Sequence, residues 1–161
     1  MKMSSAVEQS LVVLVMLGLQ KDGLPVKSHI LSKHLEVSDS YLKKTMRKLV
    51  VANIVEAIAS KEGGFRLARA TKSITLLDVY EAIEGKDSFV HSTQLADRVF
   101  PAKKAVETGT QEVLSIIFDA EQDFKKRLKQ YSILDLLKLR EDGSDGIDWR
   151  NYEPQSQTAF V

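Results

Sequence analysis

The residues best suited to chemistry are hydroxyl and basic side chains gathered between residues 38 and 51. Short hydroxyl groups at the start of a helix can approach phosphate oxygens, where free backbone N–H groups and the helix dipole also favour negative charge. Lysine and arginine bind phosphates or the acceptor atoms of guanine. This pattern predicts nucleic-acid contacts rather than a merely solvated helix face, through Ser38, Ser40, Tyr41, Lys43, Lys44, Arg47 and Lys48.

A second basic stretch, ASKEGGFRLAR at residues 59–69, sets two adjacent glycines among lysine and arginine. The alternation of apolar and basic residues after the glycines is typical of a strand, and the glycines mark the turn of a hairpin. Glycine supplies positive φ without side-chain bulk, so we expect this tip to lie close to a nucleic-acid backbone. The predicted contacts of the hairpin are Lys61, Gly63, Gly64 and Arg66.

The net charge of +1 conceals an uneven distribution of charge along the 161 residues. Residues 1–72 contain twelve lysines and arginines against six acidic residues, whereas residues 73–161 contain eleven against sixteen. A basic half beside an acidic half indicates that one part of the protein meets a polyanion. The alternative is a chance imbalance among solvated side chains.

Other kinds of chemistry find little support in the sequence. The chain has no cysteine, which excludes disulfides, cysteine nucleophiles and cysteine-ligated iron–sulfur clusters. His29 and His34 are five residues apart, one more than the helical spacing that brings two imidazoles to one metal ion. No Gly-x-Ser-x-Gly motif or phosphate loop occurs, and Glu81 and Glu84 have no obvious partner base. We expect no enzymatic activity, no catalytic residue, no metal and no cofactor.

Helical periodicity and capping residues indicate the elements that position the basic stretches. A first helix is predicted to begin at Ser4 or Ser5 as N-cap and to stop at 21–23, a second short helix follows Pro25, and a third, at 38–51, begins with Ser38 as N-cap. The second and third helices are joined by a turn at 36–38, which matches a helix-turn-helix. The hairpin at 54–69 then corresponds to a wing.

Further helices are predicted beyond the wing. A fourth helix runs from Thr75 to Gly85 and closes a domain at 1–85, and a connecting loop at 86–100 leads to a long helix ending near Gln130. That helix starts at Pro101 or, alternatively, at the capping box of Thr108. We expect a dimerisation helix and a short following helix at 101–140, with the dimer interface formed by Val113, Ile117, Ala120, Phe124 and Leu128.

The two ends of the chain are less informative. The apolar run from Leu11 to Leu19 is far shorter than the ~20 residues that cross a bilayer, so we expect a buried helix in a cytoplasmic protein with no membrane partner. Residues 141–161 are polar and rich in turn-forming residues, which predicts a flexible tail apart from Trp149 and Tyr152. The fold class is therefore mainly α with a small β-hairpin, a winged helix-turn-helix domain followed by a long C-terminal helix.

Three motifs in this order resemble a known family. SDSYLKKTMRKLVVANIV, followed by GGFRLARATKSITLLDVYEAIEG, is similar to the signature of the Rrf-two family of bacterial winged-helix transcriptional regulators, and the similarity spans roughly residues 5–131. The resemblance implies a homodimeric repressor that binds a palindromic operator in double-stranded DNA. It places helix 38–51 in the major groove and the wing 54–69 along the minor groove.

Departures from the family pattern refine these expectations. Many members have an acidic residue in place of Lys43 and an arginine in place of Ala59, so we expect a different base preference. Because Ala59 and Glu62 make the wing less cationic than that of the family, we expect the third helix to carry most of the specificity. Members that sense iron–sulfur clusters carry three cysteines in the segment that reads DSFVHSTQLADRVFPAKK here. The chain thus resembles the cluster-free branch.

The signal of such a regulator stays open between a partner enzyme and a small ligand. Walls for a ligand between the winged domain and the long helix are expected from Phe89, His91, Leu95 and Phe100, although a packed loop needs the same residues. A winged helix that serves only as a protein-interaction module is the alternative function.

Overall fold

The computed structural model describes residues 3–139 and 146–153 of the chain. These residues contain seven α-helices and one antiparallel hairpin. The elements in chain order are α1 (Ser5–Leu19), α2 (Ser28–Leu35), α3 (Asp39–Val51), β1 (Val55–Ile58), β2 (Gly64–Leu67), α4 (Leu76–Glu84), α5 (Leu95–Val99), α6 (Lys103–Lys129) and α7 (Ile133–Leu137). The predicted fold class, mainly α with a small hairpin and a long C-terminal helix, is confirmed.

The core surrounds the apolar face of α3. Leu42, Met46 and Leu49 of this helix are completely buried, as are Leu14 of α1 and Val79 of α4. Because these side chains recur every three or four residues, one face of α3 is committed to the core and the other faces outward. No helix in the described ranges is long and apolar enough to span a membrane.

The wing is a short hairpin tied to the segment before α2. Val55 pairs with Leu67 and Ala57 pairs with Phe65 across the two strands. Phe65 also exchanges backbone hydrogen bonds with Val26, at 2.9 and 2.8 Å, in an antiparallel bridge. Strand β2 of the wing therefore pairs with β1 on one side and with the segment that leads into α2 on the other.

The two glycines of the wing are required by packing inside the chain. Gly63 is buried, and a Cβ at this position would overlap the carbonyl oxygen of Ile58. Gly64 has φ +149°, and a Cβ there would lie 2.5 Å from the carbonyl oxygen of Val26. The expectation of positive φ is thus right for Gly64 and wrong for Gly63, where the constraint is steric.

The fourth helix begins and ends at the predicted residues. Thr75 and Asp78 form a reciprocal capping box at its start, with N to O distances of 2.9 and 3.1 Å. Gly85 ends it with φ +100°. Because only glycine adopts such an angle without strain, the chain can turn sharply there.

The region after α4 differs from the sequence-based expectation in two respects. Residues 95–99 form the short helix α5 within what was expected to be a connecting loop. The long helix α6 begins at Lys103, two residues after Pro101, and it runs through Thr108 without interruption. A helix of five residues is too short for its hydrophobic periodicity to be informative, which explains why α5 was not predicted.

The last described elements return to the winged domain. Ile133 of α7 is completely buried, and its N–H donates to the carbonyl of Ile74 at 2.9 Å. Residues 146–153 also pack onto α1, through Trp149 among others, so the expected flexible tail does not describe them. The rest of that tail, 141–145 and 154–161, lies outside the described residues.

Alanine substitutions of three glycines test this account of the wing. Gly63→Ala and Gly64→Ala should each lower the free energy of unfolding by about 1 to 3 kcal/mol, because the added methyl group meets backbone that cannot move freely. Gly109→Ala is the matched control. Gly109 lies within α6, a Cβ at this position would have nothing within 4 Å, and alanine should raise helix stability by up to about 1 kcal/mol. Urea unfolding measures all three, and equal effects would contradict the steric explanation.

Candidate nucleic-acid interface

The N-terminus of α3 is organised by hydroxyl groups. The Ser38 hydroxyl accepts a hydrogen bond from the Tyr41 N–H at 3.2 Å, as an N-cap should. Ser38 and Ser40 are exposed, and their hydroxyl oxygens lie 3.5 Å apart. Tyr41 is 40% exposed. The predicted N-cap is confirmed, and these three side chains are accessible at one end of the helix.

The outer face of α3 presents two basic side chains that form no ion pair within the described ranges. Lys44 and Arg47 are exposed, and neither takes part in a salt bridge among residues 3–139 and 146–153. Both lie opposite the buried stripe of the same helix. Among the basic side chains of α3, these two are the ones that the described residues leave without an ion pair or hydrogen bond to their charged groups.

Lys43 is accessible but already paired. Its ammonium lies 2.7 Å from a carboxylate oxygen of Asp39, one helical turn earlier. That contact holds the pKa of Asp39 below its ordinary value. A phosphate that approaches Lys43 must therefore share this cation with Asp39.

Lys48 is exposed, but its ammonium is engaged by another helix of the same chain. Its ammonium donates to the carbonyl of Ile83 at 2.7 Å, in the last turn of α4. A cation at this end of a helix satisfies a free carbonyl and complements the helix dipole. The sequence places Lys48 on the basic face of α3, but in the structure its charge is engaged by α4.

The wing offers less free positive charge than its sequence suggests. Arg66 forms an ion pair with Glu56 of the facing strand at 2.6 Å. Arg69 donates to the Ser73 carbonyl and lies 3.4 Å from Asp78. Lys61 is exposed at the tip.

Two carboxylates that matter here were missed by sequence reasoning. The spacing of Asp39 and Lys43, four residues apart on a helix, is a readable signal for an ion pair. The pairing of Glu56 with Arg66 depends on the register of the hairpin, which the sequence leaves open.

The predicted dimer residues divide into two groups. Val113, Ile117 and Ala120 are exposed on α6. Phe124 instead packs edge to face on Tyr80 of its own chain, with ring centroids 5.2 Å apart, and Leu128 is half-buried.

A single buried carboxylate fixes α6 to the segment that follows α4. Glu121 accepts a hydrogen bond from the Ser88 hydroxyl and forms an ion pair with Lys125 at 2.9 Å. These two contacts, in that order, lower the pKa of Glu121. Glu121 is the only buried residue of α6, so most of this helix lies at the surface of the chain.

Two of the residues expected to wall a ligand site line different cavities. Phe89 lines one of 440 Å³ between α4 and α6, whereas Phe100 lines another of 360 Å³ between α5 and α6. A cleft of 860 Å³ lies between α3 and α4 and includes Arg47 and Glu81. Sequence periodicity carries no signal for this cleft, because it depends on how two helices are placed in space.

A family model described as "Rrf2: Iron-dependent Transcriptional regulator" matches residues 3–139. The putative transcriptional regulator YwgB of Bacillus subtilis is 39% identical over 115 residues, which cover 70% of this chain and 74% of that protein. IscR of Cereibacter sphaeroides is 36% identical over 94 residues, which cover 57% of this chain and 61% of that regulator.

Two solved structures share the fold. CymR of B. subtilis, described as its global cysteine regulator, has a TM-score of 0.65 at 23% identity, covering 88% of this chain and 99% of that one. IscR of T. potens has a TM-score of 0.63 at 20% identity, covering 86% and 87%.

The residues of this chain do not fit the iron site that the family description implies. The sequence contains no thiol, and the described residues include no group of three or more histidines, cysteines or carboxylates that could hold a metal ion. His91 is exposed in the segment where a cluster would need several ligands.

The family model spans most of the chain, and the similarity to YwgB independently covers more than two thirds of it. The prediction of a regulator rather than an enzyme is confirmed by this match. The chain belongs to the Rrf2, or Rrf-two, family of transcriptional regulators.

Proposed function

We propose that this regulator binds a palindromic operator as a homodimer and represses transcription by occupying it. Residues 1–85 form the DNA-binding domain in this proposal, joined through 86–100 to the helices of 101–140. Residues 38–51 enter the major groove, and the wing at 54–69 follows the adjacent minor groove. The exposed pair Lys44 and Arg47, on a helix whose other face is buried, is the observation that carries the proposal.

The geometry supports this assignment of roles within the interface. A helix that is packed on one side and basic on the other can enter the major groove without unfolding any of its core. Ser38, Ser40 and Tyr41 lie at the end of the helix where phosphate contacts are favoured. Lys61 is an exposed cation at the tip of the wing, and Lys43 and Arg66 can contribute once their carboxylate partners are displaced.

Lys44 and Lys48 give a matched test, because they are the same residue type one turn apart on α3. Lys44→Ala should weaken operator binding by about tenfold or more and change the free energy of unfolding by less than about 0.5 kcal/mol. Lys48→Ala should lower the free energy of unfolding by about 1 kcal/mol, with a smaller effect on DNA. Fluorescence anisotropy on duplexes selected from a random pool, together with urea unfolding, measures both quantities.

The control for this pair is Lys126→Ala, which removes an exposed cation from the far end of α6 and should alter neither quantity. Binding of the unaltered protein should fall by roughly 10³ to 10⁵ between 50 and 200 mM salt if six to ten phosphates are contacted. Failure to select any duplex would favour a protein-interaction module instead.

The surface of α6 supports the homodimer. Val113, Ile116 and Ile117 are 55%, 64% and 41% exposed. Leu95, Val99 and Phe100 on or next to α5 are exposed as well. Contiguous apolar surface of this extent is unusual on a monomer and marks an interaction site, and a second α6 offers the matching surface.

Ile117→Glu should therefore shift the protein from dimer to monomer at micromolar concentration, because a charge buried in an interface without a partner costs several kcal/mol. Ser115→Glu adds the same charge to an exposed polar position of the same helix and should leave the dimer intact. Sedimentation velocity distinguishes the two species. An unaltered protein that sediments as a monomer would overturn the homodimer.

A further inference from the structure

Residues 146–153, here named the C-terminal clasp, bind the end of α1 through main-chain hydrogen bonds. The Ile147 N–H donates to the Leu19 carbonyl at 2.8 Å, and the Lys21 N–H donates to the Ile147 carbonyl at 3.0 Å. Gly146 has φ +96°, and a Cβ there would lie 2.9 Å from the same Leu19 oxygen. The clasp thus adds a short extended segment to the helix end and satisfies a carbonyl that the helix itself leaves free.

Gln20 recognises the clasp with both ends of its side chain. Its Nε2 donates to a carboxylate oxygen of Asp148 at 2.9 Å, and its Oε1 accepts from the Trp149 N–H at 3.1 Å. Only 5% of Gln20 is exposed. A buried amide needs partners, and those of Gln20 are supplied mainly by the clasp.

Trp149 extends the contact to α2. Its indole N–H donates to the Met16 carbonyl of α1 at 2.7 Å. Its ring lies edge to face against His34 of α2, with centroids 5.4 Å apart, and Tyr152 contacts both rings. One tryptophan therefore bridges α1 and α2, and α2 directly precedes the helix proposed to read DNA.

The clasp is also ordered within itself. Asp148 accepts hydrogen bonds from the Arg150 guanidinium at 2.8 Å and from the Asn151 amide at 3.0 Å. The contact with Arg150, followed by that with Gln20, holds the pKa of Asp148 well below its ordinary value. The family match ends at residue 139, so the clasp lies beyond the part of the chain that the family model describes.

We propose that the ends of α1 and α2 form a docking site for a peptide, that its occupant is the C-terminal clasp of the same chain, and that the docked clasp holds α2 against α1. The docking of the clasp is inferred from these contacts alone. Its consequence for DNA rests on the proposed function: α2 positions α3, so release of the clasp should weaken operator binding.

The single tryptophan of the chain, Trp149, makes the docking measurable in the full-length protein. Gln20→Ala should shift its fluorescence emission to longer wavelength and increase quenching by acrylamide, because loss of two hydrogen bonds implies about a tenfold or greater fall in the docking equilibrium constant. Gln130→Ala is the matched control, since Gln130 also follows the last turn of a helix but contacts Arg127 on the surface.

A second variant separates docking from general destabilisation. Gln20→Glu keeps the size of the side chain but places a carboxylate against Asp148, so it should release the clasp while circular dichroism shows the helices retained. Hydrogen exchange should then increase in residues 28–35 but not in α6. Unchanged emission in both Gln20 variants would overturn the proposal, as would emission that changes on dilution, which would indicate docking between two copies.

Operator affinity completes the test. It should fall in both Gln20 variants and stay unchanged in Gln130→Ala. The fluorescence measurement needs no DNA, so a failure of the proposed function leaves the docking result intact. Released clasp with undiminished operator affinity would overturn the link between the clasp and α3.

Discussion

The burial of one face of α3 is the constraint on which the rest of the structure depends. Leu42, Met46 and Leu49 are completely enclosed, and each contributes roughly 1.5 to 3 kcal/mol by leaving water. Rotation of the helix by one residue, about 100°, would expose this stripe. The orientation of α3 is therefore fixed by its core side, and the direction of Lys44 and Arg47 follows from it.

The charge exposed on the candidate interface is smaller than a count of basic residues suggests. Asp39 pairs with Lys43, and Glu56 pairs with Arg66. Exposed ion pairs of this kind are worth about 0 to 1 kcal/mol, so a phosphate can replace the carboxylate at little cost. Such pairs lower the attraction of this surface for an arbitrary polyanion. A nucleic-acid backbone whose phosphates are correctly placed can still contact both cations.

The limits of prediction follow from the range over which each signal acts. The N-cap at Ser38 and the start of the fourth helix at Thr75 were predicted correctly because capping joins residues only three positions apart. The family motifs likewise identified the winged fold. Contacts between distant parts of the chain were not predictable: Lys48 reaches α4, and Trp149 reaches α1. The sequence indicated the two glycines of the wing but only part of the reason for them, since the backbone that surrounds Gly63 becomes apparent only in three dimensions.

The joint between α4 and α6 combines two kinds of contact with different consequences. Phe124 on Tyr80 supplies apolar packing, which tolerates some sliding, whereas Glu121 must meet both Ser88 and Lys125 to be satisfied while buried. The polar contact therefore fixes the position along α6 at which the winged domain is attached.

If two α6 helices pair, this attachment point sets the distance between the two α3 helices. An operator read in successive major grooves would require that distance to be close to one helical turn of DNA, about 34 Å, so in the proposed dimer a buried carboxylate far from α3 would contribute to which spacing of half-sites is accepted.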